Sequence, residues 1–330
     1  MTVINPSALP RAWATLSLDL DNLWSYQRSF GIEAWRHYPS FLELALPRIL
    51  DLLDRLDLRL TLFIVGRDAE QTANRPLLAE AVRRGHEAAN HSYDHDPALH
   101  RWPRARIREE IARADRVIEE ATGERPRGFR GPAYGLSARL LKALRDLAYD
   151  YDASSYPNSL GLLARLYHRR QASRLGSQAC VADSLYGSLR DARQPLKPYC
   201  WSLAQGAVIE VPVTTLPLLR LPFHGTYLNY LGDFSPSLAQ CYFGTALRLC
   251  RLRGVPPSFL LHVTDFLGGD DCAELTYLPG MKRKGADKTA FMAGLLESYG
   301  QAFHVGPIGA FVDELQALRQ PLPLVSVLGA

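Results

Sequence analysis

Short apolar runs alternate with longer amphipathic segments along most of this 330-residue chain, and that alternation restricts the fold more than any other feature. The runs fall at residues 13–20, 59–65, 87–90, 127–130, 149–153, 207–213 and 258–263, with a further one near 302–305. Between them, Leu42, Leu46, Ile49, Leu50 and Leu53 recur at helical spacing in 41–56, and Ile107, Ile111, Ala114 and Ile118 do so in 104–121. A third helical segment, 69–84, ends at Gly85, a helix stop signal. Strand-then-helix repetition is the pattern of an α/β protein with parallel strands, because each helix carries the chain back to the same end of the sheet. Seven or eight such units fit the length, a count that favours a barrel over an open sheet by a small margin.

Two stretches break the rhythm. Residues 157–205 are long, basic and irregular, and 216–231 (LPLLRLPFHGTYLNYL) is apolar and aromatic without strict period. Both read as insertions at the outlet of the barrel, the second extending towards residue 255, so the expected organisation is a single domain over 1–330 with elaborated loops. Hydrophobic residues make up 47% of the chain, enough for a sizeable core. The 38 basic and 34 acidic residues are dispersed, so no charged block points to nucleic acid; the short run Met281-Lys282-Arg283-Lys284 reads as a solvated loop. Cys180, Cys200, Cys241, Cys250 and Cys272 form no CxxC pair and are odd in number, the mark of structural thiols rather than a disulfide frame or cysteine zinc site. Residues 1–11 (MTVINPSALPR) lack the basic start and apolar core of an export signal, and no uncharged stretch reaches the 18 or so residues of a membrane span. The expectation is a cytoplasmic protein.

Two clusters carry chemistry. Asp19 and Asp21 close the first strand, and the C-terminal strand ends of an α/β barrel are where its active site lies. A strand period of two sends both carboxylates to one side. The second cluster, Asn90-His91-Ser92-Tyr93-Asp94-His95, follows the third strand and offers two imidazoles four residues apart, which a helical turn would aim the same way. Two imidazoles and one carboxylate leave coordination positions open, as a catalytic metal site needs. Water bound there has its pKa lowered towards neutrality and attacks carbonyls.

Taken in order, Asp19-x-Asp21, His91-Ser92-x-x-His95, Phe129-Arg130-Gly131-Pro132-Ala133-Tyr134-Gly135, Asp152-Ala153-Ser154-Ser155 and Leu260-Leu261-His262 resemble the five motifs of the polysaccharide deacetylases, the NodB-homology group of carbohydrate esterase family 4. The resemblance spans residues 19 to 262 and implies a distorted (β/α) barrel of about seven strands that hydrolyses an N-acyl or O-acyl group on a sugar. It implies that Asp21, His91 and His95 hold Zn²⁺, or Co²⁺, Ni²⁺ or Mn²⁺, and that Asp19 is the general base. Arg130 would pair with Asp19, and Asp152, with Asp150 as a competitor, would support the site. His262 would protonate the leaving amine, a reading favoured over a core histidine because it ends an apolar strand where barrel enzymes place catalytic groups. An N–H in the Ala133–Tyr134 turn would bind the oxyanion, and Leu260 would line the pocket for the acyl methyl. His86, His100 and His224 lack partner spacing and read as structural or surface residues.

Three departures qualify the resemblance. Leu20 separates aspartates that are usually adjacent, as in an Asp-x-Asp branch, which leaves open which carboxylate binds metal. Ala133 stands between Pro132 and Tyr134, so either N–H of the turn is a candidate donor, and Tyr156 stands near the usual place of a tryptophan. Without a visible export signal, the substrate implied is a nucleotide- or lipid-linked N-acetyl or N-formyl amino sugar used in polysaccharide or glycolipid synthesis. The 216–231 stretch would then meet a lipid carrier or the inner membrane face, or else pack over the barrel. Two rival readings remain. A haloacid dehalogenase-like phosphatase would use Asp19 as nucleophile and Gly269-Asp270-Asp271 as its late acidic pair, though Leu23 stands where that group prefers Thr or Val. A barrel that binds glycan without turnover is the other.

Overall fold

A computed structural model describes residues 12–161, 166, 170, 191–278, 280–319 and 321–327. Most of the 157–205 insertion, Cys180 and residues 1–11 lie outside the described residues. The chain runs β1 (Trp13–Asp19), α1 (Leu23–Ser29), α2 (Leu42–Arg55), β2 (Thr61–Ile64), α3 (Gly66–Glu70), α4 (Arg75–Arg83), β3 (Glu87–Asn90), α5 (Arg104–Thr122), β4 (Gly128–Phe129), α6 (Ala138–Asp146) and β5 (Tyr151–Asp152). It continues through β6 (Tyr199–Leu203), β7 (Gly206–Glu210), α7 (Gly225–Phe234), α8 (Pro236–Arg253), β8 (Ser258–His262), α9 (Gly285–Ala302), β9 (His304–Gly306), α10 (Ile308–Ala317) and β10 (Leu324–Ser326).

The strands form one sheet in the order β10-β6-β7-β5-β4-β3-β2-β1-β8, with β9 against the start of β1. Every pairing is parallel except the β6–β7 hairpin. No ladder joins β7 to β8, and the chain leaving β7 spans the gap between them. Val211 N–H donates to the Asp152 carbonyl at 2.9 Å and Val213 N–H to that of Ser155 at 2.9 Å, while Thr214 N–H reaches the Ser258 carbonyl on β8 at 3.1 Å. Strands β1–β5, β7 and β8 thus form a curved, mostly parallel α/β sheet that has no β7–β8 ladder and is bridged there by 211–214, in keeping with the distorted barrel that the resemblance implies.

The period of two sorts the residues. On β1, Leu16, Leu18 and Leu20 turn outwards into a large cluster with the α2 stripe, Leu42, Leu46, Ile49, Leu50 and Leu53. Ser17 and Asp19 alternate with them. Inside, Phe63, Ala89, Tyr151 and Ala153 meet Ile308, Phe311, Val312 and Leu315 of α10, which plugs the N-terminal end. Each fully buried aliphatic or aromatic side chain of this kind contributes roughly 1.5–3 kcal/mol. Apolar packing closes that end, so the polar groups gather at the other.

Two expected elements differ. The segment 69–84 is two helices, α3 and α4, parted at 71–74. Pro76 sits in the first turn of α4, where its missing N–H costs nothing, and Asn74 braces the break by donating to the Asp68 carbonyl at 3.0 Å. The 216–231 stretch is not irregular throughout, because Gly225–Phe234 forms α7. Gly225 and Gly232 diluted its period. At Gly225 a Cβ would lie 2.2 Å from an Asp265 carboxylate oxygen, which explains the glycine by contact.

Candidate metal centre and pocket

Asp21 lies just beyond β1, whose neighbours β2 and β8 fix its register: Asp19 aligns with Phe63 on one side and His262 on the other. The next residue, Asn22, is buried. Its Nδ2 donates to Asp68 at 2.8 Å and to Ser40 at 2.9 Å, and its Oδ1 accepts from the Leu23 and Phe41 N–H groups, so the chain after Asp21 is held from two sides. Asp68, buried in this network, has its carboxyl pushed up to about 7 by desolvation despite bonds from Asn22 and Trp24.

The histidines follow β3 on a loop rather than the helical turn expected from their spacing. Ser92 and His95 both adopt left-handed backbone, φ 64° and 48°. The loop is held by its own side chains: Ser92 N–H donates to Asn90 Oδ1 at 2.7 Å, His95 N–H to Ser92 Oγ at 3.1 Å, and Asn90 Nδ2 to Asp115 on α5 at 2.9 Å. His95 Nε2 then lies 2.9 Å, and His91 Nε2 3.5 Å, from Asp21 Oδ1. The three ligand atoms are all within 4.8 Å of one another.

The donor set fits a cation. His91 Nδ1 lies 2.7 Å from the Arg130 carbonyl and donates to it, so Nε2 is the nitrogen that faces the Asp21 carboxylate. A lone pair facing a carboxylate oxygen at this range is repulsive unless positive charge sits between them. The titration tendencies express the same preference. Burial alone would raise the Asp21 carboxyl, yet His95 and His91 hold it well below the usual range. Burial alone would lower the His91 imidazole, yet Asp19 and Asp21 raise it.

Asp19 stands beside this cluster with Arg130 as its counter-charge. Arg130, with no exposed side-chain surface, donates from Nη1 to Asp19 Oδ1 at 2.6 Å and to Ser17 Oγ at 3.0 Å, and from Nε to the Ala153 carbonyl at 2.9 Å. Its guanidinium lies over the Phe63 ring at 4.0 Å. Across the pocket, His262 Nε2 is 4.0 Å from Asp19 Oδ2 and 3.5 Å from the Tyr134 hydroxyl, while its Nδ1 is 3.1 Å from Thr226 Oγ1 on α7. Ala133 and Tyr134 are both left-handed, at φ 52° and 60°. Tyr134 N–H is taken by the Gly131 carbonyl at 2.9 Å, whereas the Ala133 N–H has no such partner among the described residues. Gly131 is required there, since a Cβ would come 2.5 Å from the Gly135 carbonyl oxygen.

Two residues expected at the site lie behind it. Asp152 pairs with Phe129, not Arg130, in the β4–β5 register, so the pleat turns it to the opposite face from Arg130. There it accepts from Ser154 Oγ at 2.6 Å, and the same hydroxyl accepts from Gly131 N–H at 2.8 Å; Asp152 thus supports the turn and not the base. Glu210, a residue the sequence reading missed, lies beside Asp152. Burial pushes Asp152 up to about 6, and burial together with the neighbouring Asp152 raises Glu210. Glu210 stood out as the lone acid in the apolar run 207–213, and that was the available signal. Asp150 is on the surface, bound to Arg127. Leu260 packs with Tyr156, Val213 and Tyr134 rather than on the pocket wall.

His224 also departs from expectation. It lines the pocket with its ring centroid 6.0 Å from that of His262, and burial, aided by His262, pushes its imidazole down to about 3. Neither its spacing nor that of Thr226 carried a signal. The cavity has a volume of about 580 Å³ and takes in Asp19, Asp21, His91, His95, Tyr134 and His262. The acidic pair Asp270–Asp271 is elsewhere: Asp271 binds Arg48 at 2.7 Å and Asp270 binds the Gly285 N–H.

Residues 39–151, which include His91, His95 and Arg130, match the polysaccharide deacetylase family model. The matched stretch, about a third of the chain, is similar to the polysaccharide deacetylases. The chain is 37% identical over 92 residues to a chitooligosaccharide deacetylase of Bradyrhizobium sp. (strain ANU 289), and 30% identical over 89 residues to a peptidoglycan-N-acetylglucosamine deacetylase of Bacillus cereus. Each match covers 27% of this chain, and it spans 40% and 31% of those two proteins. A crystal structure from Mycobacterium smegmatis, also described as a polysaccharide deacetylase, has the same fold. It aligns over 96% of this chain and 97% of its own with a TM-score of 0.57 at 17% identity. Asp19, Asp21 and His262 fall outside the matched stretch and reach it through the β2–β1–β8 register.

Proposed function

We propose that this chain belongs to the polysaccharide deacetylase family and is a metal-dependent hydrolase that removes an N-acyl group, acetyl or formyl, from an amino sugar, with 1–330 acting as one catalytic domain. The reading rests on one observation above all: Asp21, His91 and His95 converge on a common point with the Asp19–Arg130 pair beside them and His262 facing Asp19. A divalent cation held by Asp21, His91 and His95, Zn²⁺ first and Co²⁺, Ni²⁺ or Mn²⁺ as alternatives, supplies Lewis acidity to the acyl carbonyl and to water. Asp19 takes the proton of the attacking water, and Arg130 keeps that carboxylate in place and balanced in charge. The Ala133 N–H donates to the oxygen on which charge develops, in a turn that Asp152 holds through Ser154. His262 then gives a proton to the departing sugar amine, its Nδ1 oriented by Thr226.

The substrate in this reading is an intermediate of polysaccharide or glycolipid synthesis, linked to a nucleotide or a lipid. The names of the two curated relatives, both deacetylases of amino-sugar polymers or oligomers, agree with the chemistry. The test is to incubate the protein and Zn²⁺ with N-acetyl and N-formyl amino sugars and, separately, phosphate esters. Release of acetate or formate that Asp21→Ala or His91→Ala abolishes supports the deacylase. Phosphate release that depends on Asp19 would establish the phosphatase instead, and sugar binding with neither product would leave a binding barrel.

A further inference from the structure

The cavity reaches well beyond the reacting groups. Its volume of about 580 Å³ sits in the middle of the range for sites that enclose a drug-sized molecule, roughly 300–1,000 Å³, more room than one acylated monosaccharide needs. From His262 an unbroken series of rings leads to the surface. Centroid separations are 6.0 Å from His262 to His224, 6.4 Å on to Tyr227, 6.5 Å to Tyr230 and 5.1 Å to Phe234. The last three share one face of α7 by their spacing, and Phe234 ends the track 70% exposed. Near it in the chain, Leu218, Leu219 and Leu238 are 67%, 64% and 54% exposed.

This inference rests on the deacylase reading, which fixes the direction of the track. His262 serves the leaving amine, and the leaving amine carries the sugar. A track that begins at His262 therefore receives the sugar and whatever is attached to it, not the acyl group. At its inner end the Tyr156 hydroxyl and His224 Nδ1 are buried without a hydrogen-bond partner among the described residues, and both residues line the cavity. Sugar hydroxyls are the partners that suit them. Beyond that point the track is apolar. A nucleoside diphosphate along the track would call for Arg or Lys, and neither is among the described residues that line the cavity; the N-terminus of α7, capped by His224, lies at the inner end beside His262 and not along Tyr227 to Phe234.

We propose that the substrate's carrier is an apolar chain, with the sugar against Tyr156 and His224 and the first carbons of the chain along Tyr227, Tyr230 and Phe234. The probes are methyl and octyl glycosides of N-acetylglucosamine and the uridine-diphosphate sugar. Binding is followed by calorimetry on the full chain with chelator present, so that turnover does not enter, and acetate release is measured in parallel with Zn²⁺. Burying a methylene is worth about a fourfold gain in affinity, so three or four carbons on the track predict octyl binding on the order of 100-fold tighter than methyl. Phe234→Ser and Tyr230→Ser, at positions 70% and 40% exposed that leave the core intact, should each reduce that ratio severalfold. Equal affinity for methyl and octyl glycosides, or tightest binding of the nucleotide sugar, overturns the proposal. A persistent octyl preference with no acyl group released from these probes or from their N-formyl counterparts upholds the apolar subsite and removes the deacylase reading.

Discussion

Replacing Arg130 with methionine tests the electrostatic arrangement at the heart of the site. Methionine keeps most of the length and the contact with Phe63 but removes three hydrogen bonds, to Asp19, Ser17 and the Ala153 carbonyl. The Asp19 side chain, 4% exposed, is left as a buried carboxylate without its counter-charge. Breaking a buried pair on one side costs about 3–5 kcal/mol, and the Ser17 and Ala153 groups add about 1 kcal/mol each. Asp19→Asn alone strands the guanidinium, but Ser17 and Ala153 still accept from it, so its cost should be smaller, about 2–4 kcal/mol. With both changes no buried charge remains, and the double variant should lose about 3 kcal/mol less than the sum of the single ones. Urea denaturation of the four proteins, with chelator and again with Zn²⁺, measures this coupling. Thermal melts should show Arg130→Met falling by roughly 5–15 °C. Single-variant costs that add to within about 0.5 kcal/mol would refute the pairing argument, because groups that do not interact are additive.

Other outcomes follow from the same geometry. His86 is buried, accepts from the Leu60 N–H at 3.2 Å, and is pushed down to about 4 by burial and by Arg59. The unfolded chain takes up that proton near pH 6.5 and the folded chain only near 4, so stability is unaffected above pH 6.5 and falls as pH drops from about 6.5 to about 4. His86→Asn, which retains the acceptor, should flatten the difference by about one proton in denaturation curves taken across that window; parallel curves would discount the burial argument. Gly128→Ala places a Cβ 1.9 Å from Cζ of Tyr151, a fully buried ring whose hydroxyl binds Glu87, and should destabilise by about 3 kcal/mol or more in the same urea assay. A neutral effect there would mean that the β4–β5 register is wrong.

The parts of the molecule legible in the sequence are those fixed by local rules. Strands β1, β3 and β8 showed themselves because an alternating or apolar run ends in a polar cluster, and α2 and α5 because their buried stripes follow the helical period. Where the chain obeys a pairing rather than a period, the reading fell short. The edge strand β10 depends on β6, a partner far away in the chain, β6 itself lies in a stretch read as an irregular insertion, and closure through 211–214 depends on hydrogen bonds from a segment with no strand ladder of its own. Asp152 illustrates a finer failure. Its strand was located, but parity relative to Arg130 is set by the β4–β5 register, which no local pattern encodes. His224 and Thr226 reach His262 from a helix whose glycines dilute its period.

The most direct test of the metal-dependent deacylase is a titration of metal-free protein with Zn²⁺ while acetate release from an N-acetylglucosaminide is followed. The account predicts activity that rises from baseline and levels off at one equivalent, and no activity at any Zn²⁺ concentration in His91→Ala or Asp21→Ala. Release that is indifferent to metal, or that survives loss of His91 and of Asp21, would contradict it.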